Sequence, residues 1–203
     1  MSQLEALRRQ YGGYVPGLLG ARHSYAVLCP LVERQDGLHL LLEVRAASLR
    51  RQPGEVCFPG GRREAGESAA ACALRETEEE LAIPAREIEV LGTPDFICNS
   101  RGFLMQPVLG AVSPAGLACM RPSPAEVAEV FTVPLDFFRR TEPQMYRYDL
   151  VPTPPRDFPY DAVGIGEDYP WSRGTVEVPV WFWEGRAVWG MTARLIRDLA
   201  AHL

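Results

Sequence analysis

Residues Gly60–Ile83 read GGRREAGESAAACALRETEEELAI, and this stretch decides the fold. Its centre predicts a helix. Ser68 is placed to cap the start, because its hydroxyl can accept a bond from a free first-turn amide. Ala71 stands where a Glu or Gln would complete a capping box. Ala69, Ala70, Ala71, Ala73 and Leu74 are strong helix formers, and Pro84 biases Ile83 out of the helical region and marks the end. Four acids crowd the last turns: Glu76, Glu78, Glu79 and Glu80. Helical spacing puts Glu76, Glu79 and Glu80 on one face and turns Glu78 elsewhere. Two unit charges about 4 Å apart repel by about 1 kcal/mol in water and by about 4 kcal/mol at an effective dielectric constant of about 20. Three such carboxylates oppose folding unless cations offset them, and hard divalent cations, Mg2+ or Mn2+, prefer oxygen ligands of this kind.

The loop before the helix supplies further parts. Gly60 and Gly61 permit a tight turn and a close approach to a ligand, and the Gly60 carbonyl is a candidate metal ligand beside Glu76, Glu79 and Glu80. Glu67 near the helix start and Arg75 about two turns later are spaced to form an ion pair that ties loop to helix. An isolated EEE run is more often a solvated helix face. Here the run is joined to a Gly-Gly loop, to Glu67 and to Arg75-Glu76 at fixed separations. Gly61, five residues, Glu67, seven residues, Arg75-Glu76 and then Glu79-Glu80 resembles the Nudix hydrolase box, Gx5Ex7REUxEExGU, where U is aliphatic. Thr77 replaces the aliphatic residue and Ala82 replaces the glycine. Thr77 keeps a methyl group to bury. Ala82 removes an easy left-handed cap, which predicts a slightly longer helix. Neither change touches a carboxylate.

Working outward toward the N-terminus, RAASLRRQPGEVCFPGG (45–61) surrounds the glycine loop with cations: Arg45, Arg50, Arg51 and, just beyond, Arg62 and Arg63. Such charges are commonly surface charges. In an acidic protein, beside a metal-like cluster, their guanidinium groups suit phosphate oxygens. Leu41-Leu42-Glu43-Val44-Arg45-Ala46, Arg50, Gly54 and Phe58-Pro59-Gly60-Gly61 resemble the pattern that marks coenzyme A diphosphatases among Nudix hydrolases, LLTxR(S/A)x3Rx3Gx3FPGG. Only Glu43 departs, where threonine is usual.

Composition sets bounds. The chain has 203 residues, 47% of them hydrophobic, and a net charge of −5 from 21 basic and 26 acidic side chains. That balance argues against general nucleic-acid binding, which needs a basic surface. No run of about 18 apolar residues predicts a membrane span, and the N-terminal MSQLEALRRQYGGY lacks the apolar centre of a signal peptide. Cys29, Cys57, Cys72, Cys98 and Cys119 are scattered, odd in number and contain no CxxC pair, so neither a zinc site nor a disulfide framework is suggested and a reducing cytoplasm is the simplest setting.

The remaining chain reads as a leader over 1–22, helical and then a loop through Gly12-Gly13 and Pro16-Gly17, followed by one domain over 23–203. Strands are expected at Ser24–Val32, with Pro30 implying an edge or bulge, and at Leu38–Val44 after an Asp36-Gly37 hairpin signal. Further strands are expected within 88–112, where Asn99-Ser100-Arg101-Gly102 is a polar turn and Pro107 suggests another edge or bulge. Glu126 and Glu129 follow in SPAEVAEVFTVP and are either exposed charges or site acids. Leu135–Arg140 predicts a short helix. Residues 141–175, rich in Pro and aromatic residues, read as an irregular insertion, for which a substrate-covering loop, a homodimer arm and an ordered surface loop all stay open. A strand at Thr175–Trp183, a turn at Glu184-Gly185, a return at Arg186–Trp189 and a helix at Thr192–Leu203 close the chain, in a pattern similar to the end of the same coenzyme A group.

The resemblance implies an α/β; Nudix fold, that is, an α/β/α sandwich with a mixed central sheet. It implies metal-dependent hydrolysis of a small-molecule diphosphate, coenzyme A or acyl-CoA, to adenosine 3′,5′-bisphosphate and (acyl-)4′-phosphopantetheine. Mg2+ or Mn2+ would be held by Gly60, Glu76, Glu79 and Glu80. A proton acceptor would come from Glu79, Glu80, Glu126 or Glu129. Arg45, Arg50, Gly54, Phe58 and Arg62 would contact substrate, and Glu67 and Arg75 would give structural support. The alternatives are a Nudix hydrolase for ADP-ribose, NADH or an oxidised nucleotide, which the Arg45–Gly61 spacing disfavours, and a non-catalytic ligand-binding protein, which would have little need of all three helix acids.

Overall fold

The apolar run SYAVLCPLV forms the middle of a mixed sheet. The computed structural model describes residues 2–14, 17–99 and 102–202, so Pro16, Ser100, Arg101 and Leu203 of the expected loop, turn and closing helix lie outside the described residues. In chain order come helix α1 (Gln3–Tyr11), strands β1 (His23–Arg34), β2 (Gly37–Arg45), β3 (Val56–Cys57) and β4 (Gly60–Arg62), and helix α2 (Ala69–Leu81). Strands β5 (Ile88–Gly92), β6 (Ile97–Cys98) and β7 (Phe103–Val112), helix α3 (Pro114–Cys119), strand β8 (Val127–Pro134) and helix α4 (Leu135–Arg140) follow. Strands β9 (Gln144–Leu150), β10 (Gly174–Trp183) and β11 (Arg186–Trp189) and helix α5 (Gly190–Ala201) complete the chain.

The larger sheet runs β3-β2-β1-β7-β5, with β4 also on β1, β6 on β7 and β8 on β2. The β1–β7 pair is parallel and the others are antiparallel. β1 is buried without a break from Ala26 to Val32, as expected of a strand covered on both faces. Its neighbour β2 alternates. Leu40 and Leu42 pack with Leu135 and Phe138 of α4 and with Leu195, Ile196 and Leu199 of α5. Leu41 packs with Cys72, Ala73 and Leu81 of α2. The result is an α/β/α sandwich whose sheet separates α2 from α4 and α5. A second, three-stranded sheet has the order β11-β10-β9.

Several expectations are corrected. Pro30 and Pro107 do not mark sheet edges. Pro30 falls between the β4 pairing at Tyr25–Val27 and the β2 pairing at Leu31–Arg34, and Pro107 falls between the β6 pairing at Leu104–Met105 and the β5 pairing at Leu109–Val112. Each lies where its strand changes partner on one side. The β1–β2 hairpin turns at Gln35-Asp36, one residue before the expected pair, because Gly37 already pairs with Arg34. The irregular insertion at 141–175 is partly regular: Gln144–Leu150 is strand β9, paired along β10. The final helix begins at Gly190 rather than Thr192. α1 is closed by a full capping box between Ser2 and Glu5 and buries none of its residues. No helix among the described residues is long and apolar enough to cross a membrane.

Candidate active site

Helix α2 holds its acids through what lies beneath them. Ser68 accepts a bond from the Ala71 amide at 3.1 Å, and Cys72, Ala73, Thr77 and Leu81 are buried against the sheet. Thr77 satisfies its hydroxyl on the Ala73 carbonyl at 2.7 Å. The helix is not lengthened by the loss of glycine at Ala82. Ala82 takes the left-handed cap itself, at φ 55° and ψ 30°, because Pro84 blocks continuation and buried Leu81 and Ile83 fix the exit. Such a conformation costs a residue with a Cβ about 1–2 kcal/mol.

The two glycines of the loop serve different neighbours. Gly60 has φ +153°, and a Cβ there would overlap Ala26 and Val27 of β1. Its N–H donates to Glu80 Oε2 at 2.8 Å. A Cβ at Gly61 would overlap the Glu76 carboxylate. The loop thus packs directly onto the helix acids.

The expected Glu67–Arg75 pair is present at 3.0 Å. Arg75 also reaches Glu76 at 2.7 Å and Glu79 at 3.3 Å, and donates to the Arg62 carbonyl at 3.3 Å. These hydrogen bonds from Arg75, with one from the Glu64 amide, pull the Glu67 carboxyl down to about 2. Arg75 in turn is held above its ordinary range, first by Glu67 and then by Glu76.

Beneath this rim the electrostatics reverse. Glu80 is only 4% exposed and Glu43 is fully buried. Burial first, and then the repulsion of neighbouring carboxylates, raises the pKa of both above the ordinary carboxylate range. Glu43 and Glu126 press on Glu80, and Glu126 presses on Glu43. Glu76 is raised by burial, with Arg75 opposing and Glu79 and Glu126 adding to the rise. Glu43 accepts a bond from the Cys57 thiol at 3.4 Å through Oε1, while Oε2 is buried with no hydrogen-bond partner. Desolvation, and then the charge of Glu43, holds the Cys57 thiol in its neutral form.

Four carboxylates under mutual repulsion, one with an orphaned buried oxygen, fit a hard divalent cation in donor type. As they stand, no three acidic, cysteine or histidine side chains among the described residues converge as a finished metal site. Glu76 is turned onto Arg75 and Glu80 onto the Gly60 amide.

The other candidate residues divide. Arg45 has the same parity on β2 as Leu41 and Glu43, so it leaves the sheet on the α2 side. Gly54, at φ +74°, donates to the Arg45 carbonyl at 3.0 Å and closes the loop that carries exposed Arg50. Arg62 is exposed beside Gly61. Phe58 is corrected: it is 3% exposed and packs with Val27, Leu42 and Val133 in the core on the α5 side. Glu126 is exposed in the turn before β8, within electrostatic reach of Glu43, Glu76 and Glu80. Glu129 does not join them. It is held by Arg186 through both carboxylate oxygens. Arg63 is likewise no free phosphate donor, since it bonds Gln106 at 2.5 Å, Ser24 at 3.3 Å and the Glu67 carbonyl.

In the sequence Glu43 stands out only as a motif departure. The alternation from Leu41 was the signal that places it on the α2 side.

The chain is similar to several known proteins. The NUDIX domain model matches residues 22–149. A Nudix hydrolase named NudL from Enterobacter sp. (strain 638) is 36% identical over 185 residues, covering 90% of this chain and 83% of that protein. The peroxisomal coenzyme A diphosphatase NUDT7 of Mus musculus is 37% identical over 147 residues, covering 69% of this chain and 61% of that protein. A crystal structure of the Nudix hydrolase RenU from M. smegmatis superposes with a TM-score of 0.49 at 25% identity, over 57% of this chain and 73% of that one. With the box residues on a half-buried helix beside a glycine loop, and a family match over more than half its length, the chain belongs to the Nudix hydrolase family.

Proposed function

We propose that the chain hydrolyses the diphosphate bridge of coenzyme A or an acyl-CoA, giving adenosine 3′,5′-bisphosphate and (acyl-)4′-phosphopantetheine, with Mg2+ or Mn2+ as cofactor. The observation that carries this reading is the shared face of β2 and α2. Strand β2 turns Arg45 to the same side of the sheet as the buried acids Glu43 and Glu80, and Gly54 folds the Arg50 loop back onto Arg45. A substrate with anionic phosphates at two places meets cations and metal-binding carboxylates together. The mouse relative's name supports coenzyme A as that substrate.

The residues divide the work. Glu76, Glu79, Glu80 and the Gly60 carbonyl would hold the cation. Such an ion would neutralise the diphosphate and make water more acidic. Arg45 and Arg50 hold phosphate oxygens, including the 3′-phosphate, and Arg62 stands at the mouth. Water adds to one phosphorus, the bridging P–O bond breaks, and the proton of the water passes to a carboxylate. Glu126 is the candidate base, because it is solvent-facing, near the buried acids and not tied to a cation. The five cysteines are free thiols, which suits a reducing cytoplasm.

A turnover panel over CoA, acetyl-CoA, long-chain acyl-CoA, NADH and ADP-ribose with Mg2+ or Mn2+ tests the reading. CoA or an acyl-CoA is expected to be cut best, with Glu80→Gln at least about 100-fold slower. Inert CoA beside rapid cleavage of ADP-ribose would remove the substrate assignment but leave a diphosphatase. Full turnover by Glu80→Gln would remove the metal assignment.

A further inference from the structure

Glu43 is the one residue that leaves the coenzyme A diphosphatase pattern between Leu41 and Gly61, and its surroundings give that departure a use. On β2, Leu40 and Leu42 face α4 and α5 while Leu41 faces α2. Glu43 shares the parity of Leu41, so it leaves the sheet beneath the helix acids. It pairs in register with Cys57 of β3 on one side and Val130 of β8 on the other, and its exposure is 0%. The Cys57 thiol occupies Oε1, and Oε2 has no partner. The charged groups that face it are Glu80 from α2, Glu126 from the turn before β8 and Arg45 from its own strand. Two of those three are carboxyl groups. A buried carboxylate with an open oxygen, pressed by two others, is costly unless something cationic offsets it. A threonine at this position would carry no charge and be shorter, and would impose no such cost.

We propose that Glu43 is an additional carboxylate ligand for the divalent cation held by the α2 acids, giving this chain a more anionic metal site than the threonine-bearing pattern provides. The inference rests on the metal-dependent reading above. Cys57 fixes one carboxylate oxygen by its hydrogen bond, and the free Oε2 is the donor atom.

Mn2+ binding to the full chain, followed by the electron paramagnetic resonance signal of free Mn2+, tests this without turnover. Wild type, Glu43→Gln, Glu43→Thr and Glu80→Gln are compared, together with melting curves in chelator and in Mn2+. Both Glu43 variants are expected to weaken Mn2+ binding at least about 10-fold. They are also expected to shrink the Mn2+-induced rise in Tm, while Glu43→Gln in chelator melts no lower than wild type. Wild-type Mn2+ affinity in both Glu43 variants, with Glu80→Gln defective, would overturn the role of Glu43 and leave the metal-dependent reading in place. A lowered Tm in chelator with unchanged Mn2+ affinity would assign Glu43 to packing and overturn the inference equally. Absence of Mn2+ binding by wild type would bring down both.

Discussion

Glutamates paired with arginine and glutamates buried around α2 are treated in opposite ways. Glu67 is gripped by Arg75 and Glu129 by Arg186, and each is held below the ordinary carboxylate range by its arginine. Glu43 and Glu80 are buried among other carboxylates and pushed above that range. The side chain is the same in all four. Glu67 and Glu129 use their arginines to hold loops and strands together, whereas the buried, cation-poor Glu43 and Glu80 store a demand for positive charge. Strongly perturbed acids of the second kind are the usual mark of a functional site, and here they are the ones packed under α2.

The most severe way to break this division is to exchange the roles of Glu126 and Glu129. Glu126→Gln is expected to lower kcat for the best substrate by about 100-fold, the lower end of general-base contributions. Glu129→Gln is expected to change it by less than about 2-fold, because only an exposed pair with Arg186 is lost. Steady-state kinetics decides. If Glu129→Gln were the damaging change, Glu129 would belong to the site and Glu126 would lose its claim as the base.

Much of this arrangement is legible in the sequence, for reasons that differ by residue. The α2 acids follow from helical periodicity, and the Glu67–Arg75 pair from spacing alone. Ser68 and Pro84 mark the two helix ends. The left-handed Ala82 is not legible, because local preference argues against it and only the buried neighbours Leu81 and Ile83 enforce it. Strand β9 escapes notice because all seven of its residues are exposed. It is held by backbone pairing to β10, more than twenty residues away, rather than by a buried face. Arg63 reads as a phosphate-binding cation until tertiary contacts to Gln106 and Ser24 occupy it. Glu43 is hidden by a sound rule, that glutamate is almost never fully buried, which fails where a site needs it.

The next effect concerns pH in metal-free protein. Glu43 and Glu80 have native pKa values raised above the unfolded value of about 4.3. The native state therefore holds protons that the unfolded chain has released, and stability falls as pH rises from about 4.3 toward the raised native values. In chelator the protein is expected to be less stable at pH 8 than at pH 6, by on the order of 1–2 kcal/mol. Glu67 adds nothing to this slope. Its native value of about 2 confines its loss to acid, as pH falls from about 4.3 through about 2. Melting curves at the two pH values measure the slope, and Glu43→Gln with Glu80→Gln should flatten it. A slope that survives both changes would mean the buried pair is not its source.

The smallest effect comes from the rim. Arg75→Ala removes the partner of Glu67, Glu76 and Glu79 at once. The guanidinium is 29% exposed, so solvent screening limits the cost to about 1 kcal/mol, or roughly 2–4 °C in Tm for a chain of this size. Salt separates the two regions further. At 1 M ionic strength the Debye length is about 3 Å, and the gap between wild type and Arg75→Ala should narrow toward zero. The pH slope of the chelated protein should persist under the same salt, because mobile ions do not enter the space that excludes water from Glu43 and Glu80. If salt abolished both effects alike, the acids beneath α2 would be as solvated as those on the rim. The contrast between the two regions would then be one of position and not of environment.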